Sequence, residues 1–355
     1  MGSGTIAFVV LAACATASAI VFSEDAKPSV YNDLVCQLPD GSGGLCRVAS
    51  DCPSASSAEA CVAKSLVCCP STTTSPAPAT GVGIKSRQEC EKSAQLATVD
   101  ECPPIEMTPG KNIAVPGLFP YLAVLGYGNL SDSKWLYAGV LVSESSVLTS
   151  ARCLGNCDLG IVRRVRLGDV DLTTPNGDDE TVQVINVDKV TPHPLYKELR
   201  VFHDVAVLHL QTPAKLSSRV RPACLNSLTQ LPTNRVIIAG FAAESNRSTE
   251  FGTARYVDVT EIPALQCQKA LPQLTLMGVK ANESLICAAD EAGGRDSCRD
   301  DLGSPLQVRL DKPHCQFSVA GLRSFGSVLC GKPGVPAVYT SIAEYLEWIE
   351  SVVWP

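Results

Sequence analysis

The sequence has few charged residues, few histidines and no apolar run at its start long enough to span a membrane. Charged residues make up 18% of the 355 residues, and only four histidines are present. The formal net charge is -7 and the pI is about 5.2. An acidic chain offers little attraction to nucleic acid or anionic membranes, so neither partner is expected. With 45% hydrophobic residues, the composition is globular, and the length suffices for two domains.

The N-terminal apolar stretch runs from Ile6 to Ala13 and is followed by the small residues Ala17-Ser18-Ala19. It is too short to cross a membrane. The pattern predicts a secretory signal peptide over 1–19 and an N-terminal tail over 20–34, although the start carries no Lys or Arg. The alternative, a bacterial lipoprotein box ending at Cys14, also lacks that basic start. We therefore expect a secreted, extracellular protein without a membrane anchor.

Cysteine is abundant. Of seventeen cysteines, removal of Cys14 with the signal leaves sixteen. An even number in a secreted chain predicts disulfides rather than reactive thiols. Zinc sites favour spaced cysteine pairs with histidine support, whereas Cys68 and Cys69 are adjacent and no histidine is near, so no metal or other cofactor is expected. Three glycosylation sequons agree with secretion, starting at Asn129, Asn246 and Asn282.

The chain divides into two folded parts. Six cysteines lie between Cys36 and Cys69, and so short a stretch needs disulfides in place of a large core, which predicts a stapled domain over 35–70. A segment rich in Ser, Thr, Pro and Gly follows and predicts an exposed linker over 71–107. Lys85 and Arg87 in it are candidate cleavage sites, and a passive spacer is the alternative.

From residue 108 onward, many short apolar runs between turn signals predict a β-barrel architecture. One helix closes the chain, with the sequence SIAEYLEWIESVV. Ser341 and Glu344 predict a capping box at its start. One apolar face is expected to pack against the barrels, formed by Ile342, Leu346, Ile349 and Val353.

Several motifs occur in the order seen in chymotrypsin-like serine proteases: VLTSARC, VRLGDVDL, HDVAVLHL, DSCRDDLGSPL and CGKPGVPAVYT. Over 108–355 the chain resembles this family. The six-cysteine segment, ending in adjacent cysteines, resembles the clip domain of arthropod proteases and of their non-catalytic homologues. The resemblance implies a mostly β protein with a clip domain, two six-stranded antiparallel barrels and a C-terminal helix.

The resemblance also implies disulfides. In the clip domain these are Cys36–Cys68, Cys46–Cys61 and Cys52–Cys69. In the barrels they are Cys267–Cys287, Cys298–Cys330, and Cys224 with either Cys102 or Cys90. The family partner of Cys153 would stand at Tyr137, so Cys157 is assigned to it as the nearest candidate, and Cys315 is paired with whichever of Cys90 and Cys102 is left over.

The catalytic positions carry unusual residues. Acyl transfer by this fold uses a serine, a histidine and an aspartate. Here Arg152 stands in the histidine's place, Asp204 remains, and Leu302 replaces the serine. A guanidinium stays protonated and has no acceptor, and leucine has no nucleophilic group. Asp300, at the glycine of the oxyanion hole, would oppose a developing negative charge. We therefore expect no protease activity.

Three other candidates are weaker. His193 and His203 do not occupy the histidine's place in VLTSARC, and Ser304 has no positioned base to activate it.

The resemblance assigns a specificity pocket for basic side chains to Asp296, Ser324 and Gly326. Ala337 replaces a usual glycine, and its methyl group should narrow the pocket. The pocket either still binds basic side chains or is a buried relic holding water.

Activation also departs from the family. No Arg-Ile-Val-Gly-Gly sequence precedes the barrels, and Lys111 is the remaining candidate cut, although Asp301, which would receive a new N-terminus, is kept.

The resemblance implies a non-catalytic cofactor in an extracellular immune protease cascade of haemolymph, such as prophenoloxidase activation with melanisation, Toll-type signalling or complement-like defence. Its partners would be other clip-domain proteases or their substrates. The alternative is a recognition or adhesion protein that binds pathogen surfaces; an enzyme with rearranged catalysis is disfavoured.

In either case we expect Arg152 to pair with Asp204, with Leu302 covering its stem. The alternative places Arg152 in solvent.

Overall fold

The computed structural model describes the backbone of 35–37, 43–48 and 66–70, and residues 81–96, 112–129, 132–173, 181–198, 201–231, 233, 235–243, 251–271, 274, 284–290, 302–310, 316–326 and 335–355. The predicted signal peptide and tail lie outside these ranges. Contacts divide the chain into two compact units. The smaller spans Ala15–Ala77 and the larger includes Pro78–Pro355.

The smaller unit contains a three-stranded antiparallel sheet in the order β1 (Val35–Gln37), β2 (Gly43–Val48), β3 (Leu66–Pro70). In its register Cys46 lies opposite Cys68. The three disulfides predicted for this region depend on side chains outside the described residues, and they stay predictions.

The first barrel of the larger unit is closed and antiparallel, in the order β10-β11-β6-β5-β4-β9. Its strands are β4 (Leu122–Asn129), β5 (Asp132–Ser143), β6 (Ser146–Thr149), β9 (Arg164–Leu167), β10 (Gln183–Pro192) and β11 (Ala206–Leu210). Between β6 and β9 in the sequence, β7 (Gly155–Asn156) and β8 (Gly160–Ile161) form a small antiparallel hairpin. Strands such as β4 are almost entirely buried, as continuous apolar runs predict.

The second barrel has the sheet order β12-β17-β16-β13-β14-β15-β18, and a further pairing of β17 with β18 closes a ring of six strands. The strands are β12 (Cys224–Leu225), β13 (Arg235–Ala243), β14 (Phe251–Ile262), β15 (Leu285–Ala289), β16 (Pro305–Arg309), β17 (Phe317–Gly326) and β18 (Ala337–Ser341). The short β12 adds to β17 in parallel. The predicted mostly β, two-barrel fold is thereby confirmed.

Aromatic side chains join the two barrels. The ring of Phe119, which precedes β4, lies 5.0 Å from the ring of Phe317 on β17 and 5.5 Å from that of Tyr256 on β14. These rings belong to one buried apolar cluster that includes residues from both barrels. The barrels therefore share a closely packed core.

Three helices complete the described part of the larger unit: α1 (Ile84–Ala94), α2 (Ala264–Ala270) and α3 (Ile342–Val353). Helix α3 buries Ile342, Leu346 and Ile349, as its periodicity predicts, and Val353 is half-buried. The predicted capping box is wrong, because Ser341 makes no side-chain capping hydrogen bond. Ser341 is still part of strand β18, and its N–H donates to the Ser284 carbonyl (2.9 Å). No helix among the described residues is long and apolar enough to cross a membrane.

Helix α1 corrects the predicted exposed linker of 71–107. The buried Glu350 carboxylate on α3 accepts the backbone N–H groups of Gly83 (3.0 Å) and Ser86 (2.8 Å), and so satisfies the start of α1. A disulfide joins Cys90 to Cys224, which selects this alternative over Cys102. Local composition predicted a linker because the residues that hold α1 in place, Glu350 and Cys224, lie far away in the sequence.

Candidate active site

The site begins where two paired strands of the first barrel end. Strand β6 ends at Thr149, and the 3₁₀ turn Ala151–Leu154 follows it. Asp204 stands just before β11, whose first residue, Ala206, lies opposite Thr149. Because the strands are antiparallel, the turn after one and the residue before the other meet at the same edge. This register brings Arg152 to Asp204.

Arg152 binds the Asp204 carboxylate twice. Its backbone N–H donates to Oδ1 (3.0 Å), and its Nε–H donates to Oδ2 (3.0 Å). The Asp204 side chain is fully buried, and that of Arg152 is 29% exposed. The predicted pair is therefore present, and Arg152 does not turn away from Asp204 into solvent.

Strands of the second barrel complete the surroundings of Asp204. The Ser324 hydroxyl on β17 donates to Oδ2, and the Thr340 hydroxyl on β18 donates to the Asp204 backbone carbonyl (3.0 Å). Both carboxylate oxygens thus accept hydrogen bonds from groups of this chain. Ser324, which the family resemblance assigned to the specificity pocket, directs its hydroxyl to Asp204.

The guanidinium of Arg152 also faces an aromatic ring. Its Cζ lies 6.0 Å from the centroid of Phe325, within the range of a cation–π contact. The sequence did not indicate this contact of Phe325, and the expected cover of the Arg152 stem by Leu302 stays a prediction. Phe325 lies at a register shift in the pairing of β17 with β18, between Arg323 and Phe325, and such irregularities change the direction of side chains along a strand.

The loop at the nucleophile's place is held tightly. The Leu302 carbonyl accepts the Ala138 N–H (2.8 Å), and the Gly303 N–H donates to the Arg323 carbonyl (2.9 Å). Gly303 has φ +78°, and a Cβ there would lie 2.2 Å from the Ala138 oxygen. Only glycine fits such a position. Ser304 is fully buried.

Parts of the predicted site lie outside the described residues. These are Asp296, Asp300, Asp301, Lys111, the pair Cys298–Cys330, and the sequons at Asn246 and Asn282. Their roles stay predictions. Asn129, at the end of β4, is exposed. Lys85 and Arg87 are exposed on α1.

The predicted Cys153–Cys157 disulfide is wrong. Cys153 is a fully buried free thiol, whereas the exposed Cys157 is bonded to another residue. Burial, followed by the charge of Asp204, raises the pKa of the Cys153 thiol. Tyr137, which stands at the place of the usual partner, packs its ring edge-on against Tyr127 with 5.8 Å between centroids. The Cys267–Cys287 disulfide is present.

His193 and His203 form a packing cluster. Their rings stack with centroids 4.9 Å apart, and His193 also meets the ring of Trp348 on α3 at 4.9 Å. The Tyr345 hydroxyl lies 3.2 Å from Nδ1 of His203. Burial lowers the pKa of both histidines. The cluster anchors α3 to the segment just before β11.

Two residues that the sequence assigned to the specificity pocket lie side by side, and a buried arginine that the sequence did not single out lies next to them. Gly326 and Ala337 are paired neighbours on β17 and β18, and a Cβ on Gly326 would lie 3.5 Å from the Ala337 Cβ. Beside them lies Arg323, whose side chain is 1% exposed. The available signal was an arginine within an otherwise buried apolar strand, SVAGLRSFG. Among the described residues, no cluster of three or more His, Cys, Asp or Glu could hold a metal.

Two closed six-stranded barrels, with Asp204 at their junction, define the chymotrypsin-like class. The sequence profile of the Trypsin family matches residues 109–349, and the chain belongs to this family.

The most informative relatives are insect proteins. The chain is 35% identical to serine protease snk of Drosophila melanogaster over 243 residues, covering 67% of this chain and 55% of that protein. It is 30% identical to the phenoloxidase-activating enzyme of Bombyx mori over 261 residues, covering 67% of this chain and 58% of that protein. It thus spans a little over half of these two relatives. Phenoloxidase-activating factor 3 of Holotrichia diomphalia is 31% identical, with 67% of this chain and 70% of that protein covered.

A solved structure is similar as well. Neuropsin, a serine protease expressed in the limbic system of mouse brain, superposes with a TM-score of 0.55 at 28% identity. The match covers 68% of this chain and 98% of neuropsin.

Proposed function

We propose that this protein is a secreted serine protease homologue without catalytic activity, which acts as a cofactor in an extracellular immune protease cascade. The observation that carries the first half is the contact between Arg152 and Asp204. In a working triad the aspartate orients an imidazole that takes the serine proton. Here the same carboxylate orients a guanidinium, which has no site to accept a proton.

The nucleophile is absent as well. Leu302 offers only carbon, and the nearby Ser304 is fully buried beneath the loop. Loss of the nucleophile alone costs on the order of a millionfold in rate in proteases of this type. Asp300, if it stands at the oxyanion position as the motif predicts, would oppose the developing charge. A scaffold can persist as a binding surface after its chemistry is lost.

The names of related proteins support the cascade role. Of the three insect relatives reported above, two are named for phenoloxidase activation, one as an enzyme and one as a factor. The small sheet at 35–70 agrees with a separate recognition module ahead of the barrels. The partners would be other clip-domain proteases or their substrates in haemolymph.

Catalysis is tested with a fluorophosphonate probe on the secreted protein. No labelling is expected, under conditions that label an active trypsin. The matched control is the triple variant Arg152→His, Leu302→Ser, Asp300→Gly, which restores the chemical groups on the same scaffold. Labelling of the wild-type protein that is lost on heat denaturation would refute the absence of activity.

The cofactor role is tested by adding the protein to haemolymph plasma and measuring phenoloxidase activity after a microbial trigger. A change in that activity is expected, and Leu302→Ala should act like the wild type because no acyl chemistry is involved. Binding to microbial cell walls without any effect on phenoloxidase would instead favour the adhesion alternative.

A further inference from the structure

Arg323 is a buried charge to which the proposed function gives no role. Together with Arg221, it is one of two arginines among the largest fully buried side chains of the described residues. Its backbone is fixed on both sides, since its N–H donates to the Ser304 carbonyl and its carbonyl accepts the Gly303 N–H, both at 2.9 Å. Arg323 therefore lies directly beside the loop that carries Leu302.

The side chain of Arg323 extends to the wall of the specificity pocket. A Cβ built on Gly326 would lie 3.0 Å from Nη2 of Arg323 and 3.5 Å from the Cα and Cβ of Ala337. The register shift between Arg323 and Phe325 interrupts the usual alternation of side chains at this point. Such a bulge can re-aim a side chain along its own strand. The guanidinium thus lies on the surface that a ligand in the pocket would contact.

A guanidinium as deeply buried as that of Arg323 needs nearby negative charge or hydrogen-bond acceptors, because an unpaired buried charge is very costly. Asp290 is a buried carboxylate in this region, two residues beyond Ala288, which pairs with Ala337. A slot bounded by glycine, with a buried carboxylate in the same region, is suited to a basic side chain. In this chain the basic side chain is already part of the wall.

We propose that Arg323 fills the specificity pocket from within. Its guanidinium takes the place that an arginine or lysine of a bound peptide would take, so a partner cannot insert a basic side chain there. The inference concerns the cleft of the proposed function and deepens it, since recognition of a partner must then use other surfaces. It replaces both earlier alternatives, an open pocket for basic side chains and a relic filled with water.

The test is a fluorescence titration of the full-length protein with p-aminobenzamidine, an aromatic amidine that mimics a basic side chain. The wild type should show no saturable binding. Arg323→Val should bind at least about tenfold more tightly than the wild type, because it empties the slot and leaves its negative charge. Adding Ala337→Gly to Arg323→Val should strengthen binding further, since the narrowing methyl group is removed.

Arg221→Val is the matched control, because Arg221 is equally buried, and its charge acts on Tyr121 rather than in the pocket. It should not bind the amidine. Saturable binding by the wild type would overturn the proposal, and so would a folded Arg323→Val protein that fails to bind.

Loss of Arg323 also affects folding, so a second measurement uses thermal unfolding. Arg323→Met keeps the stem but not the charge, and benzamidine should raise its Tm by binding the native state. The same ligand should leave the Tm of the wild type and of Arg221→Met unchanged. An Arg323→Met protein whose Tm does not respond would count against the proposal. Neither readout depends on catalysis or on a cascade, so failure here is distinct from failure of the proposed function.

Discussion

Arg152 holds the buried carboxylate of Asp204 through both its backbone N–H and its side-chain Nε–H, each at 3.0 Å. The arginine therefore takes over the structural role of a triad histidine, which is to donate a hydrogen bond to the aspartate. It cannot take over the chemical role, because a guanidinium does not accept a proton from serine.

The strength of this contact is measurable by a double-mutant cycle. Arg152→Ala should lower the free energy of unfolding by about 3 kcal/mol, because it removes one charged partner from a buried carboxylate. The backbone N–H of residue 152 and the Ser324 hydroxyl still donate to the carboxylate, so the loss of stability should lie at the low end of the roughly 3–5 kcal/mol typical of a broken buried ion pair. Arg152→Ala with Asp204→Ala should cost less than the two single changes added. Urea denaturation provides the values. Arg163→Ala, at an exposed arginine, should change stability by less than about 0.5 kcal/mol. Strict additivity would show that the pair contributes nothing.

Restoring the nucleophile alone should not restore activity. Leu302→Ser leaves Arg152 in the place of the base, so the new hydroxyl has no group to take its proton. The expected result is no amidase activity on a chromogenic arginine substrate. Adding Arg323→Val to the triple variant Arg152→His, Leu302→Ser, Asp300→Gly should raise its activity on this substrate, since Arg323 would otherwise exclude the substrate's arginine from the pocket. Measurable turnover by Leu302→Ser alone would contradict the account.

Cleavage at Lys85 or Arg87 should be slow in the native protein. Both residues lie on α1, and a protease needs an extended chain, so the helix must open first. Glu350→Gln weakens the bonds to the Gly83 and Ser86 N–H groups and should accelerate cleavage by trypsin several-fold. Glu347→Gln, at an exposed position on α3, the helix that also carries Glu350, is the control and should not change the cleavage rate.

The products of that cleavage are distinctive. A cut after Lys85 or Arg87 precedes Cys90, so the N-terminal piece should separate on a non-reducing gel. Cleavage of the wild type as fast as that of Glu350→Gln would show that the carboxylate does not hold the helix.

Acid should destabilise the protein through the histidine cluster. Burial lowers the pKa of His193 and His203, so between that lowered pKa and about 6.5 the unfolded chain binds more protons than the folded one. Stability is therefore full above about pH 6.5 and is lost as the pH falls through this window. His193→Phe keeps an aromatic ring but removes one titrating group, and its Tm should fall less between pH 7.5 and 5.5 than that of the wild type. Equal slopes would exclude His193 as a contributor.

Gly303 should tolerate no substitution. Its φ of +78° and the 2.2 Å approach to the Ala138 oxygen combine backbone strain with a clash against main chain. Gly303→Ala should cost at least about 3 kcal/mol by denaturant titration. Gly160 separates the two effects, because it has φ +81° with nothing within 4 Å of an added Cβ. Gly160→Ala should cost only about 1–2 kcal/mol. Similar losses at the two positions would mean that the clash is relieved.

Much of this molecule is predictable from local pattern. Apolar runs between turn signals indicated the barrels, and the spacing of Ile342, Leu346 and Ile349 indicated the buried face of α3. The motif around Cys153 placed Arg152 where it meets Asp204. These inferences succeed because strand and helix periods, and the chemistry of single side chains, are properties of short segments.

Other features depend on residues that are distant in sequence. The linker composition around Lys85 gives no sign that Glu350 will cap a helix there. Cys153 was expected to form a disulfide, yet its place in the core leaves it a free thiol. The count of cysteines does not show which of them will meet.

The sequence by itself determined which chemical groups stand at the old catalytic positions: a guanidinium, a carboxylate and an alkyl chain. It also determined that the chain would form two barrels. The tertiary structure alone decided that Phe325 faces Arg152 and that Arg323 reaches Gly326. Both residues flank one register shift between β17 and β18, and the position of such a shift follows from the pairing of strands rather than from either strand alone.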